Sequence, residues 1–542
     1  MSDAFVPESP TTPAPAMEWD AWGVAEFRRH LSPQVTALLQ QALGVSAEQS
    51  PPPEESDAIV RESALGAPLV HALEDLLGVD NVRTDGPTRL RHAGGKSTPD
   101  LLRRKSTGEQ DAPDAVLLPG THDEVLALLR FCAAEGIAVV PFGGGTSVVG
   151  GVDPVRGRFG SVVALDLRRL DALVDLDAVS GVATLQAGVT GPQAEQLLGE
   201  HGFSLGHFPQ SFQFATIGGF AATRSSGQAS AGYGRFDDMV EWLRVATPSG
   251  TLDLGRGPAS AAGPDLRELF VGSEGTLGII TEVGLRVHPV PERTAYQAWS
   301  FPDFETGAAA LRAVAQSGSA PTVMRLSDEA ETGINLALSG DVGGDSPTSG
   351  CLAITTFEGT DAHVDARYTE ATALLAAAGG TALGEAPAQA WEHGRFNAPY
   401  LRDALLNAGA IAETLETATR WSNLTNLRSA VTTALTESLA AQGTPGIVMC
   451  HISHTYPTGA SLYFTVVCAQ AADPLAQWAA AKRAAGDAIV AAGGTITHHH
   501  AVGVDHRPWM GSEVGDLGGR VLRAVKDAID PAGILNPGKL IP

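Results

Sequence analysis

The stretch Pro141-Phe142-Gly143-Gly144-Gly145-Thr146-Ser147-Val148-Val149-Gly150-Gly151 constrains this chain more than any other. Three consecutive glycines follow Ile137-Ala-Val-Val140, an apolar run with strand character. Without Cβ atoms the chain turns sharply and aims successive backbone N–H groups at one anion. A pyrophosphate fits such a loop. A lone glycine triplet is more often an ordinary tight turn between strands, so the reading depends on what the rest of the chain supplies.

The totals exclude several classes. A length of 542 residues suggests about three domains, and 44% hydrophobic residues describe a globular protein with a large core. A formal charge of −25 argues against nucleic acid as a partner, because the phosphate backbone would be repelled. Cys132, Cys351, Cys450 and Cys468 are scattered, which suits core residues in a reducing compartment rather than a disulfide framework or thiolate metal site. No uninterrupted apolar run is long enough to span a bilayer. The first residues lack the basic and apolar regions of a signal peptide, and Leu540-Ile541-Pro542 is not a peroxisomal signal. A cytoplasmic location is expected, with peripheral contact to a membrane left open.

Along the chain, residues 1–110 read as a disordered tail followed by a helical and linker region. Residues 1–16 are rich in Pro, Thr and Ala, and 46–56 form a second Pro-rich linker. Trp19 and Trp22, between them, are expected to pack on the main body. Residues 111–290 read as one α+β cofactor-binding unit. Thr121-His-Asp-Glu124 has capping-box spacing, Val125, Leu126, Leu128, Leu129 and Cys132 recur at helical intervals, and Gly136 ends the helix. Residues 291–495 alternate strand-like runs with Ala-rich helices, which suits a sheet covered by helices. The tail, 496–542, carries one helix over 521–529 and closes with Gly533-Ile-Leu-Asn-Pro-Gly-Lys539.

Two look-alikes fail. His92-Ala-Gly-Gly-Lys-Ser97 resembles a phosphate-binding P-loop, but Leu90 stands where its first glycine is required. The Gly143 loop lacks GxGxxG register and runs on into strand-like sequence, unlike a Rossmann turn.

Two further glycine-rich segments complete a pattern. Ser204-Leu-Gly-His-Phe-Pro-Gln-Ser-Phe-Gln-Phe-Ala-Thr-Ile-Gly-Gly219 leads into Ala221-Ala-Thr-Arg-Ser-Ser-Gly227, and Gly272-Ser-Glu-Gly-Thr-Leu-Gly-Ile-Ile280 precedes a strand. In order and spacing, these segments resemble the flavin-binding domain of the vanillyl-alcohol oxidase superfamily, also called PCMH-type. The resemblance implies an α+β fold: FAD held between two subdomains, an α/β cap for substrate, and a C-terminal segment returning to the flavin. It assigns Pro141, Phe142, Gly143, Gly144, Gly145, Thr146 and Ser147 to the pyrophosphate. Gln210, Ser211, Thr216, Gly218, Gly219, Thr223, Arg224, Ser225 and Ser226 would line the cofactor, with Glu274, Gly275, Thr276, Leu277, Gly278, Ile279 and Ile280. Relatives that attach flavin covalently use a His in the glycine loop. Here that loop reads Gly145-Thr146-Ser147, so non-covalent FAD is expected.

The second half carries Tyr-Leu-Arg-Asp at 400–403, Gly-Ala-Ser-Leu-Tyr-Phe at 459–464 and His498-His-His-Ala-Val-Gly503. Adjacent imidazoles can supply anion donors, a proton shuttle or metal ligands. With the glycine segments, these motifs make the chain from Trp19 onward resemble the alkyl-dihydroxyacetonephosphate synthase family. By position, Tyr463 matches that family's active-site tyrosine, Arg402 its substrate-site arginine, His498, His499 and His500 its histidine cluster, and Arg325 a further arginine linked to activity. The resemblance implies exchange of the fatty acid of acyl-dihydroxyacetonephosphate for a long-chain fatty alcohol without net redox change, and a homodimer is expected. The competing class is an FAD-dependent dehydrogenase of D-2-hydroxy acids. Its usual metal motifs have lost their carboxylate and one imidazole here, so no metal is expected, although His454, His499 and His500 leave one open.

Overall fold

A computed structural model describes residues 15–45, 54–106, 108–339 and 350–542. The proposed disordered tail and Pro-rich linker therefore fall largely outside the described residues, at 1–14 and 46–53.

Two sheets build the first half. One runs in the order Val82–Arg83, Ala115–Leu117, Ser161–Asp166, Ile137–Phe142. Its last three strands are parallel and its first antiparallel. Both faces of the parallel strands are covered, and they read as continuous apolar runs for that reason. The helix His122–Glu135 packs on this sheet through Val125, Leu128, Leu129 and Cys132. Its N-terminus is closed by Thr121 Oγ1, which accepts from the Glu124 N–H at 3.1 Å, and its C-terminus by Gly136 at φ 66°. The second sheet is antiparallel, in the order Leu173–Asp177, Val182–Gln186, Ile279–Arg286, Val240–Thr247, Gly250–Leu254.

The region before residue 111 does more than link. Val82–Arg83 pairs with Ala115–Leu117, and Leu73 and Leu77 share the core of the parallel sheet. Trp19 and Trp22 are buried, and the Trp22 N–H donates to Asp403 Oδ2 at 2.5 Å. The false P-loop has a different task. The Lys96 N–H donates to the Ser147 carbonyl at 2.7 Å, while its buried ammonium donates to the carbonyls of Glu18 and Trp19. It braces the glycine loop from behind and ties the N-terminal segment to it.

The third sheet has seven strands in the order Thr381–Gly384, Arg293–Phe301, Cys351–Gly359, Val323–Ser327, Ile447–Thr455, Gly459–Ala469, Ala410–Arg420. All its pairings are antiparallel. Helices Phe304–Ser317, Asp361–Ala377, Leu424–Ala441 and Pro474–Ala491 cover one face. There Leu326, Ile452, Leu462 and Phe464 meet Leu311, Leu375, Leu435 and Trp478. Strand alternation leaves the opposite face to polar residues, turned toward the glycine segments.

The terminal helix is longer than the sequence suggests, Met510–Ile529 instead of 521–529. Four glycines before residue 520 read as breakers, yet only Gly515, at φ 68°, departs from helical geometry. Beyond it the chain returns to the first sheet. The Val139 N–H donates to the Ile534 carbonyl at 2.9 Å and the Asn536 N–H to the Val139 carbonyl at 2.8 Å. No helix among the described residues is long and apolar enough to cross a membrane.

Candidate active site

Antiparallel register assembles the cap side of the site. Ser327 lies opposite His451, His451 opposite Tyr463 and Tyr463 opposite Glu416, so one residue from each of four strands stands in a row. Arg325, two residues from Ser327, shares that face. A bulge between Ile452 and Thr455 adds His454: strict alternation would send it to the helix-covered face, and the extra residue returns it to the polar one. The Ser461 hydroxyl fixes the bulge, accepting from the His454 N–H at 3.0 Å and meeting Ser453 Oγ at 2.7 Å.

Glu416 organises the histidine loop. Its carboxylate accepts from the Thr497 hydroxyl at 2.6 Å and from the N–H groups of His498, His499 and His500 at 2.5, 3.2 and 2.8 Å. Burial alone would raise this carboxyl. The adjacent histidines and the Thr497 hydroxyl outweigh it and hold Glu416 well below the usual carboxylate range.

Aromatic rings frame Tyr463. His451 stacks on it at 4.8 Å between centroids, His499 at 5.9 Å, and His500 meets it edge-on at 5.5 Å. Burial pushes the Tyr463 phenol up to about 12. His451 Nδ1 lies 2.8 Å from Glu331 Oε2 and 3.0 Å from Arg325 Nη2, and Arg325 also pairs directly with Glu331. Arg402 divides its guanidinium between Asp403 Oδ1, at 2.8 and 3.0 Å, and the Lys96 carbonyl at 2.5 Å. Burial opposes its charge, but Asp403 and Glu413 overcome that penalty and hold its pKa above the ordinary value.

Across from this row the glycine segments interlock. A Cβ on Gly143 would collide with Thr216, one on Gly144 with the Phe214 carbonyl, and one on Gly275 with the Pro141 ring. The three segments therefore approach so closely that these glycines have no room for a side chain. Glu274 ties them to the histidine loop, accepting from the N–H groups of Val502 and Gly503 at 2.7 and 2.6 Å. A cavity of about 210 Å³ opens where the histidine loop meets the second and third glycine segments, lined by Thr223, Arg224, Arg235, Glu274, His498 and His499 among others.

The sequence-predicted residues do not all play one part. Thr216 caps the helix Ile217–Thr223, accepting from the Gly219 N–H at 3.3 Å, and Gly218 packs on Ala187. Arg224 pairs with Asp237 and Glu268. Ser225 and Ser226 instead orient imidazoles: Ser225 Oγ lies 3.0 Å from His207 Nε2 and Ser226 Oγ 3.2 Å from His454 Nδ1. Sequence reasoning missed Glu416, Glu331 and Arg235, and gave His451 no role although it opens the segment that holds Tyr463. A buried acid on an apolar strand was the one available signal for Glu416.

The residues fit a flavin nucleotide. Interlocked glycines supply N–H groups at close approach, while Gln210 Nε2 and Ser273 Oγ, in the same segments, are buried without a hydrogen-bond partner. Buried polar donors without partners are what a polar ligand would satisfy.

The histidines set an acid limit on stability. Burial depresses His500 to about 3 and His506 to about 4, and lowers His451, His454, His498 and His499 as well. Below about pH 6.5 the unfolded chain takes up protons that the folded chain refuses. The stability is present in full above that pH and is lost as pH falls toward the folded values. Each ring adds up to about 1.4 kcal/mol per pH unit. Thermal unfolding should therefore show a midpoint level from pH 7 to 8 and falling steeply from pH 6.5 to 5. His500→Gln should flatten that slope, and an unchanged slope would contradict the buried, neutral assignment.

Comparison with known proteins agrees with this architecture. Residues 113–254 match the family model described as FAD binding domain, and 290–540 match FAD linked oxidases, C-terminal domain. An alkyldihydroxyacetonephosphate synthase of Dictyostelium discoideum is 34% identical, covering 97% of this chain and 93% of that one. A solved alkyldihydroxyacetonephosphate synthase superposes with a TM-score of 0.82 at 30% identity, over 96% of this chain and 98% of that one. Substrate-bound p-cresol methylhydroxylase shares the fold, with a TM-score of 0.68 at 17% identity over 87% of this chain and 96% of that one. With paired FAD-oxidase domains and a full-length relative above 30% identity, the chain belongs to the alkyl-dihydroxyacetonephosphate synthase family and is an FAD-dependent enzyme of that type.

Proposed function

We propose that the protein exchanges the acyl group of acyl-dihydroxyacetonephosphate for a long-chain alcohol, making an ether bond, with FAD bound non-covalently. The observation that carries this reading is the row Ser327–His451–Tyr463–Glu416, with Arg325 beside His451 and the histidine loop joining Glu416 to Glu274 of the third glycine segment. Non-covalent binding is supported by a glycine loop of small and hydroxyl residues, with no imidazole in it. Pro141–Ser147 would hold the pyrophosphate, and the segments at 210–226 and 274–280 the remainder. The cap is assigned to 291–495, and 496–542 complete the site through the histidine loop.

Bound FAD supplies a nucleophilic ring nitrogen for an exchange in which no electrons are gained or lost overall. The chain's own residues manage protons and charge. Tyr463 Oη, after releasing its own proton to solvent, takes the proton from the carbon beside the ketone, and the phenol so formed, the stable form at neutral pH, returns it once the alcohol has added. To remove a proton in the opposite half of the exchange the phenol must be lowered, and the Arg325 charge acts in that direction. Arg402, already forked toward one carboxylate, keeps N–H donors for the departing fatty acid. His500 presents a neutral imidazole whose N–H group can bind the substrate phosphate, while His498, with its ring nitrogens facing Tyr456 and His499, orders the loop. His451 and Glu331 orient Arg325.

Incubation with labelled hexadecanol and acyl-dihydroxyacetonephosphate tests the proposal. Label should enter the phosphate-bearing product with one fatty acid released per ether formed, and a dye acceptor should not be reduced by D-lactate or D-2-hydroxyglutarate. Dye reduction without label incorporation would replace the synthase reading with the dehydrogenase one.

A further inference from the structure

Three imidazoles meet where the bulged strand reaches the histidine loop: the ligand-capable nitrogens of His454, His498 and His499 all lie within 4.8 Å of one another, and His498 and His499 line the cavity. We propose that His454, His498 and His499 form a binding site for one divalent transition-metal ion of the zinc class, open toward the cavity.

The site is ordered from outside. His454 Nδ1 faces the hydroxyls of Ser230 at 2.8 Å and Ser226 at 3.2 Å, which leaves Nε2 for a metal. His498 Nε2 faces the Tyr456 hydroxyl at 2.6 Å, which leaves Nδ1. Hydroxyl partners on the far nitrogens are the second-shell arrangement that fixes tautomer and ring orientation in histidine metal sites. His498 Nδ1 and His499 Nδ1 already stand 3.0 Å apart. Metal–nitrogen bonds of about 2.0–2.1 Å place neighbouring ligand nitrogens about 3.0–3.4 Å apart, so this pair has the required spacing. A modest rotation of His454, whose ring centroid is 5.1 Å from that of His498, closes the third edge.

The bulge at residues 452–455 matters here, because it alone turns His454 toward the loop. Charge is balanced: Arg235 lines the same cavity and opposes a cation, while Glu416 Oε2 stands 3.8 Å from His499 Nδ1 and favours one. The open coordination positions face the space into which the proposed function brings a phosphate and a ketone, both oxygen ligands. In that respect the inference rests on the proposed function; the metal site itself does not.

Tag-free full-length protein with its FAD, exposed to micromolar Zn²⁺ and freed of excess, should retain one zinc per chain by elemental analysis. His454→Gln should weaken zinc affinity by about 100-fold or more, measured by competition with a chelating dye, and Ser230→Ala by about 10-fold. Both variants should keep the wild-type flavin spectrum, which separates ligand loss from misfolding. Absence of stoichiometric zinc in the wild type, or equal affinity in His454→Gln, would overturn the site. Exchange activity is recorded on the same samples, so a protein that makes ether without binding zinc refutes the metal site and leaves the synthase reading intact.

Discussion

Tyr463→Phe should lower the exchange rate by about 10²–10⁴-fold, the range expected for loss of a positioned acid or base. The substitution isolates the hydroxyl. Phenylalanine keeps the ring stacked on His451 at 4.8 Å and on His499 at 5.9 Å, so the row across the sheet is undisturbed. The core beneath, formed by Leu462 and Phe464 on the opposite face, is untouched. FAD content and the flavin spectrum should therefore match wild type. Two rates are measured: incorporation of labelled alcohol, and exchange of the substrate C–H with solvent deuterium. Both should fall together, because one hydroxyl serves the proton in both directions. Incorporation within about threefold of wild type would remove Tyr463 from the chemistry. Loss of incorporation with C–H exchange intact would move its role to the entry of the alcohol.

Why Tyr463 was legible and Glu416 was not has a physical basis. The glycine loop, the helix after Thr121, the helix start capped by Thr216 and the turn at 272–278 declare themselves locally, since each depends on backbone geometry or capping that only certain residues provide. The same holds for the closing Asn-Pro-Gly, where Asn536 Nδ2 reaches the Glu274 carbonyl at 2.6 Å. Tyr463 and the three histidines stood out through a family pattern. Glu416 and His451 are brought together across Tyr463 by strand register, and Glu331 reaches His451 from a helix 120 residues away in the chain; register is set by which faces are buried, not by local sequence. His454 shows this most sharply. Period-2 alternation from Ile452 assigns it to the helix-covered face, and a one-residue bulge reverses that assignment. The false P-loop erred the other way: its glycines and lysine are real, but the lysine binds carbonyls of the N-terminal segment.

Glu416→Gln should lower kcat by about 10²-fold with FAD still bound, because the substitution releases the histidine loop without touching a reacting group. The wild-type carboxylate is acceptor-only, and all four of its contacts arrive from donors: the Thr497 hydroxyl and three successive N–H groups. A glutamine of the same shape keeps one acceptor oxygen. If that oxygen replaces Oε1, the amide NH₂ faces the His498 N–H. If it replaces Oε2, the NH₂ faces His499, His500 and Thr497 at once. Either way donors oppose donors in a buried site, at a cost of about 1–3 kcal/mol for each group left unsatisfied. The loop should shift or fray between residues 497 and 500. Glu274 should hold its other end, at Val502 and Gly503, so the cofactor cradle survives. Hydrogen exchange gives a readout independent of activity: the His498–His500 amides should lose protection in the variant while the Val502 and Gly503 amides keep theirs. The direction of the wild-type pKa adds a second check. Because Glu416 is held well below the usual carboxylate range, the anchor it provides is present above about pH 4.3 and weakens only as acid approaches its lowered value. Protection of the wild-type loop should accordingly persist to mildly acidic pH, and in Glu416→Gln it should be low at every pH. Equal protection in both proteins would mean that strand packing, not this carboxylate, positions the histidines opposite Tyr463.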